Sequence, residues 1–287
     1  MKQTEPKLTA LSFSGGKQSS CILWMVLRGD IQKPKNFIVV NADPGMENRD
    51  TYPYINLLEK KCKESEIPFL RTSRNLYREI MDLKKSKKKR FDTPAFYTKN
   101  RETGKIGRLN QRCTGAYKIE GMHRIVRIWM DENLGISRFS KRIGNDILCE
   151  WVGFSSDEWH RIKDDTYKRK FAFIEYPLLK LGMTKEDCEN YMLKNNLPVP
   201  PPSVCNACFA NSIETFKKMS QDRPEDFEQA CLVDEQIRDL TCIGVRDLCY
   251  VSSTCIPLRQ LKEMNFILPK EIIEKDTKNC HSGRCFL

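Results

Sequence analysis

The chain has 287 residues, enough for one large α/β domain with a smaller appendage or for two modest domains. Hydrophobic residues make up 40 % of it, which excludes wholesale disorder, and the longest apolar stretches, residues 21–27 and 37–40, fall well short of a bilayer span. Lys and Arg number 49 against 38 Asp and Glu; the resulting +11 favours a polyanionic partner, or simply solubility.

Residues 1–10 carry charge but no apolar signal core, so a cytosolic protein without membrane contact is expected. The 13 cysteines are an odd count, which argues against a disulfide framework. In a reducing compartment, clustered cysteines bind metal or do thiol chemistry. Single ones inside apolar patterns, such as Cys21 and Cys62, read as packing residues.

In chain order, residues 8–13 read as a buried strand, 14–17 as a glycine turn, and 19–28 as a helix stopping before Gly29. Residues 36–41 form a second apolar strand, 51–65 a helix and 68–72 a third strand. This β-α-β-α-β order predicts a parallel sheet with helices on both faces. Residues 93–112 have two glycines and few apolar repeats and read as a loop or lid; 115–134 read as a helix. Strands are expected over 147–154 and 173–178. A helix over 183–195 has Thr184 as its N-cap and Asp187 as capping-box partner. A proline-rich stretch near 197–202 marks a boundary, giving a nucleotide-binding α/β domain over 1–198 and a smaller, mainly helical, cysteine-containing part over 199–287.

The turn Ser14-Gly15-Gly16-Lys17-Gln18-Ser19-Ser20 joins a strand to a helix. Glycines there let the backbone approach a phosphate, and the helix start supplies unpaired N–H groups and a positive dipole end. The serines offer hydroxyl donors, and Lys17 offers a charge for phosphate. The spacing is not that of a Walker loop. At the end of the second strand, Asp43 can meet a ribose hydroxyl or Mg2+, and Gly45 permits a tight turn; a solvated turn is the alternative.

The loop resembles the Ser-Gly-Gly-x-Asp-Ser signature of PP-loop ATP pyrophosphatases, with Gln18 in the place of the Asp. In that form it is similar to an uncharacterised bacterial and phage subgroup of the phosphoadenylylsulfate (PAPS) reductase family. Other segments resemble that family in the right order: Asp43-x-Gly45-x-Glu47, Arg112-Cys113-Thr114 with Lys118-Ile119, Trp151-x-Gly153 with Ser155-x-Asp157-Glu158 and Arg161, Tyr176-Pro177-Leu178 with Met183-Thr184, and Pro200-Pro201 with Cys205-x-x-Cys208. The resemblance implies a parallel-sheet, HUP-like PP-loop domain binding ATP or a sulfonucleotide. Asp157 and Arg161 then fall at the sheet edge where open α/β sheets bind ligands, with Arg161 suited to a bidentate phosphate or sulfate contact.

Cys205-x-x-Cys208 has the spacing of a metal-binding pair, for zinc or an iron–sulfur cluster; a redox dithiol and plain packing are the alternatives. The resemblance implies Cys113 as a third ligand, and Cys188 is the candidate fourth. The tail cysteines, Cys280 and Cys285, loosely resemble the placement of a reductase's tail nucleophile, and Arg284 would lower the pKa of Cys285. The basic run from Lys84 to Arg90, followed by Phe91, Phe96 and Tyr97, fits a nucleic-acid patch or a solvated loop. Three functions follow as expectations: ATP-dependent adenylation coupled to sulfur transfer from a thiol or sulfur donor, with a nucleic-acid acceptor; thiol-dependent sulfonucleotide reduction; and a nucleotide-binding component of a phage or defence complex without turnover.

Overall fold

The apolar runs that the sequence places early in the chain become the centre of a sheet. A computed structural model describes residues 6–72, 74–85, 90–139, 147–162 and 172–268. In chain order the elements are β1 (Leu8–Phe13), α1 (Lys17–Arg28), β2 (Phe37–Asn41), α2 (Thr51–Glu64), β3 (Phe69–Arg71), α3 (Leu76–Met81), β4 (Tyr97–Lys99), β5 (Ile106–Arg108) and α4 (Glu120–Leu134). After them come β6 (Leu148–Val152), β7 (Ala172–Glu175), α5 (Pro177–Lys180), α6 (Lys185–Lys194), α7 (Ile213–Asp222), α8 (Pro224–Gln236), β8 (Leu248–Tyr250) and α9 (Leu258–Glu263). Among the described residues, no helix is long and apolar enough to cross a membrane.

The chain divides into two compact units, and neither is a continuous segment. The first comprises Met1–Asp43, Arg49–Ser73 and Glu120–Ser203; the second comprises Pro44–Asn48, Arg74–Ile119 and Val204–Leu287. The expected boundary near residue 198 lies close to the break at 203, but residues 74–119 join the C-terminal unit.

The first unit holds a five-stranded parallel sheet in the order β3-β2-β1-β6-β7. Alternate side chains take opposite faces, as the period of a strand requires. Leu11, Phe13, Phe37, Val39, Cys149 and Trp151 face α1, α2, α5 and α6. Leu8, Ala10, Ile38, Val40 and Leu148 face α4 through Met122, Val126 and Met130. Glu150 breaks this pattern: it is buried on β6, and its carboxylate is met by His123 Nε2 of α4 at 2.7 Å. Helix α1 ends where the sequence indicates, with Gly29 at φ 82°. The capping box on α6 forms as expected: Thr184 Oγ1 accepts from Asp187 N at 3.1 Å, and Asp187 Oδ2 accepts from Thr184 N at 2.8 Å.

The second unit contains the helices expected there and also a three-stranded antiparallel sheet, β5-β4-β8, which the sequence reading missed. The stretch taken as a loop over 93–112 is its β4–β5 hairpin. Its core gathers Phe96, Tyr117, Phe216, Phe227 and Val251. Asp234 of α8 ties this unit together. It accepts from Val251 N at 2.8 Å, Leu258 N at 3.2 Å and Arg238 Nη2 at 2.5 Å.

Candidate functional site

In the first unit, strand order reverses at β1. The chain runs from β1 to β2 on one side, and β6 lies on the other. Ligands of open α/β sheets bind at such a reversal, beyond the carboxyl ends of the strands. The segment leaving β1 there is Ser14–Lys17, and the segment leaving β6 is Gly153–Ser155.

The loop is held in a tight turn by its own serines. Ser14 N donates to Ser19 Oγ, and Gly16 N donates to Ser14 Oγ, each at 3.3 Å. Ser203 Oγ donates to Ser14 O at 2.8 Å. Gly15 has φ +75°, and a Cβ there would stand 3.0 Å from Thr51 Cγ2 and 3.1 Å from Ile55 Cγ1. Gly16 differs: a Cβ would meet nothing closer than Ser14 Oγ at 3.4 Å, so the fold itself tolerates a side chain there. Gly16 is the N-cap of the twelve-residue α1, no side chain caps it, and no acidic residue occupies the first turn. The positive end of that helix dipole is therefore unopposed within the helix.

Gly153 closes the other side. A Cβ on it would lie 2.9 Å from Ser19 N and 3.2 Å from Ser19 Cα, so β6 reaches the start of α1 backbone to backbone. Two buried oxygens belong to the same carboxyl edge. Asn41 Oδ1, at the end of β2, and Thr51 Oγ1, at the start of α2, have no hydrogen-bond partner among the described residues. Asn41 spends its amide on Phe13 O at 3.0 Å. Asp43 accepts from Tyr52 Oη at 3.2 Å.

Both cations of the loop region are already paired. Lys17 Nζ contacts the carboxylate of Glu189 on α6. Arg161 lies largely buried over the Phe154 ring, 4.6 Å from its centroid, and donates from Nη1 to Glu158 Oε1 at 2.6 Å. The other oxygen of Glu158 accepts from Gln18 Nε2 at 3.0 Å and from Ser155 Oγ at 3.4 Å. Glu158 belongs to the motif read from sequence, but the candidate ligand-binding residues there are Asp157 and Arg161. Asp157 is exposed, and its Oδ1 accepts from Lys185 N at 3.1 Å at the start of α6. In this structure Asp157 serves that helix end, while its neighbour faces the loop.

In the second unit, three of the named cysteines act electrostatically on one ammonium, that of Lys118. Cys208 N donates to Cys205 O at 3.0 Å, which makes the Cys-x-x-Cys segment a tight turn. Buried Asn206 and Asn211 fix that turn: Asn206 N donates to Met46 O at 2.7 Å, and Asn211 Nδ2 to Cys205 O at 3.2 Å. Lys118 follows Cys113 in the π-helical turn Thr114–Ile119. Burial works against its charge, but the Glu47 carboxylate, 3.8 Å away, and the thiols of Cys205, Cys208 and Cys113 hold the pKa of its ammonium above the ordinary lysine value. Glu47 is also 3.8 Å from Cys205 Sγ. Among the described residues, no three His, Cys, Asp or Glu side chains stand close enough together to hold a single metal ion as they are. Gly45, at φ +76°, packs within the second unit, where a Cβ would run into the Asn75 side chain at 2.1 Å.

Cys188 does not join these three. It is fully buried in the apolar core of the first unit, and the thiol of Cys21 beside it, together with burial, raises its pKa far above the thiol range. A thiol in that setting is a packing group. Cys280 and Cys285 lie outside the described residues, as do residues 86–89 of the basic run; Lys84, Lys85 and Arg90 are exposed.

No family model and no curated protein matches the chain. Among solved structures, it is similar to the U34-tRNA thiolase NcsA from Methanococcus maripaludis with its [4Fe-4S] cluster, at 13 % identity and a TM-score of 0.40, over 93 % of this chain and 85 % of that one. A likeness of that size carries no argument about activity.

Proposed function

We propose that the chain is a PP-loop enzyme that binds ATP at the β1/β6 reversal, adenylates an acceptor with release of pyrophosphate, and supports sulfur transfer to it. The observation that carries this reading is the placement of Ser14–Ser20. An uncapped helix start and a glycine turn stand at the one point of the sheet where strand order reverses, with Gly153 pressed against Ser19. Loop amides, Ser14, Ser19, Ser20 and Lys17 would hold phosphate oxygens. Asn41 and Thr51 supply buried oxygens in need of a donor, which ribose hydroxyls or an adenine amine provide.

In the adenylation step, an oxygen of the acceptor attacks the α-phosphorus of ATP, and the bond to the β-phosphate oxygen breaks. Pyrophosphate leaves with that electron pair. A sulfur nucleophile then displaces AMP from the activated carbon. Lys17 stabilises charge that develops on the phosphates. Mg2+, when bound, neutralises phosphate oxygens, and Asp43 is the carboxylate that closes the neighbouring strand.

Cys113, Cys205 and Cys208 are the proposed ligands of an iron–sulfur cluster. Three thiolates from two segments suit a multinuclear cluster, which spans more space than one ion, and Lys118 offsets part of their charge. Cys188 is left out of this set. A nucleic-acid acceptor fits the net charge of +11.

The test is a thermal-shift comparison of ATP, adenylylsulfate and phosphoadenylylsulfate on anaerobically purified protein, followed by a pyrophosphate assay with candidate acceptors. A ligand that binds the folded state raises its melting temperature. Stabilisation by ATP, with pyrophosphate release, supports the proposal. Stabilisation by the sulfonucleotides alone replaces it with a reductase.

A further inference from the structure

Four charged side chains at the phosphate loop form two closed pairs: Lys17 with Glu189, and Arg161 with Glu158. Their charges sum to zero. Asp43, at the end of the adjacent strand, adds a further negative charge. The loop's own residues, Ser14 to Ser20, contain no carboxylate, so both pairing acids come from elsewhere: Glu158 from the turn after β6 and Glu189 from α6. Glu158 is bound to the loop directly, through the amide of Gln18 at 3.0 Å.

A bare nucleoside triphosphate carries a large negative charge. It gains little from a site whose cations are already neutralised, and it is repelled by the carboxylates that neutralise them. A divalent cation reverses both effects, because Mg2+ is bound through one or two carboxylates together with phosphate oxygens. We infer that Glu158 and Glu189 make the site selective for the divalent-metal complex of its nucleotide over the metal-free form. They act as specificity-determining residues, by charge, on a ligand whose phosphates the loop amides hold. This deepens the proposed function and rests on its assignment of the loop as an ATP site.

Metal-free ATP separates this role from a merely structural one. The affinity of the full chain for ATP is measured by calorimetry at fixed ionic strength, with Mg2+ and then with a chelator, for the wild type, Glu158→Gln and Glu189→Gln. Wild type should bind Mg-ATP at least roughly tenfold more tightly than metal-free ATP. Each variant keeps the shape of the side chain and removes one charge. Each should bind metal-free ATP roughly tenfold more tightly than wild type, so the magnesium effect shrinks. Unchanged metal-free affinity in both variants would overturn the inference, and so would an equal loss of both affinities, which marks a structural role. Failure of the wild type to bind ATP under either condition is a different result: it removes the nucleotide reading itself, and the inference with it.

Discussion

The backbone nitrogen of Ser19 lies 2.9 Å from the point where a side chain on Gly153 would begin. Two segments distant in sequence thus meet without any side chain between them, and α1 can start only where β6 allows. Gly153→Ala should push the start of α1 away from the sheet. The expected cost is about 1–3 kcal/mol, typical of overpacking, together with weaker ATP binding. Urea unfolding and an ATP titration check the two parts separately.

The two loop glycines should behave differently from each other. Gly15→Ala forces an L-residue into a left-handed conformation against Thr51 and Ile55, and should destabilise the protein by about 1–2 kcal/mol. Gly16→Val begins where a Cβ has room, and its branched side chain occupies the path of a phosphate. A variant that keeps the wild-type melting temperature and loses the ATP-induced shift is the expected result.

For the cysteines, the readout is iron content after anaerobic purification. Cys113→Ser, Cys205→Ser and Cys208→Ser should each lower it. Cys188→Ser should leave it unchanged and lower stability instead, by about 1–3 kcal/mol, because it buries a hydroxyl in an apolar core. Iron loss in Cys188→Ser alone would reverse the assignment.

Asp234→Ala should be the most damaging single change in the second unit. It leaves the amides of Val251 and Leu258 and the Arg238 guanidinium without their acceptor. The expected loss is about 3–5 kcal/mol, the range for breaking a buried ion pair from one side. Chemical denaturation of the full chain measures it.

Asp239 gives a pH signature. Hydrogen bonds from the Thr241 amide and hydroxyl, and then Arg101, hold its carboxyl down at about 2. In the unfolded chain an aspartate titrates near ~3.9. The contribution to stability is therefore present above the unfolded value and disappears as the pH falls through the folded one. The group is exposed, so the effect on stability is small, and a carboxyl NMR titration is the better probe. Thr241→Val should move the midpoint up toward the unfolded value.

The parallel sheet was legible because its strands are short, mainly apolar runs, with β1 and β2 almost wholly buried, separated by segments of helical spacing. β4 and β5 were not. Each is three residues long, every residue of β5 is exposed, and a strand without a buried face leaves no alternation to read. β8 is equally short and earns its place only by pairing Tyr250 with Tyr97, far away in the chain. That Glu158 and not Asp157 contacts Gln18 has a local reason. The segment is a 3-10 turn, where successive side chains diverge by roughly 120°, so adjacent acids face different surroundings and the motif alone does not say which faces the loop.

The second unit is assembled from three stretches of chain, the last of which begins at Val204. Loop closure of that length makes its folding late and its contacts non-local. During synthesis Cys113 and Lys118 emerge long before Cys205 and Cys208 exist to face them. Until then Cys113 lacks the two other thiols, and Lys118 has Glu47 but not Cys205 and Cys208. Any group that needs all three cysteines must be loaded after Cys208 has been made. The phosphate loop, by contrast, acquires β1, α1 and β2 first and needs β6 to be complete.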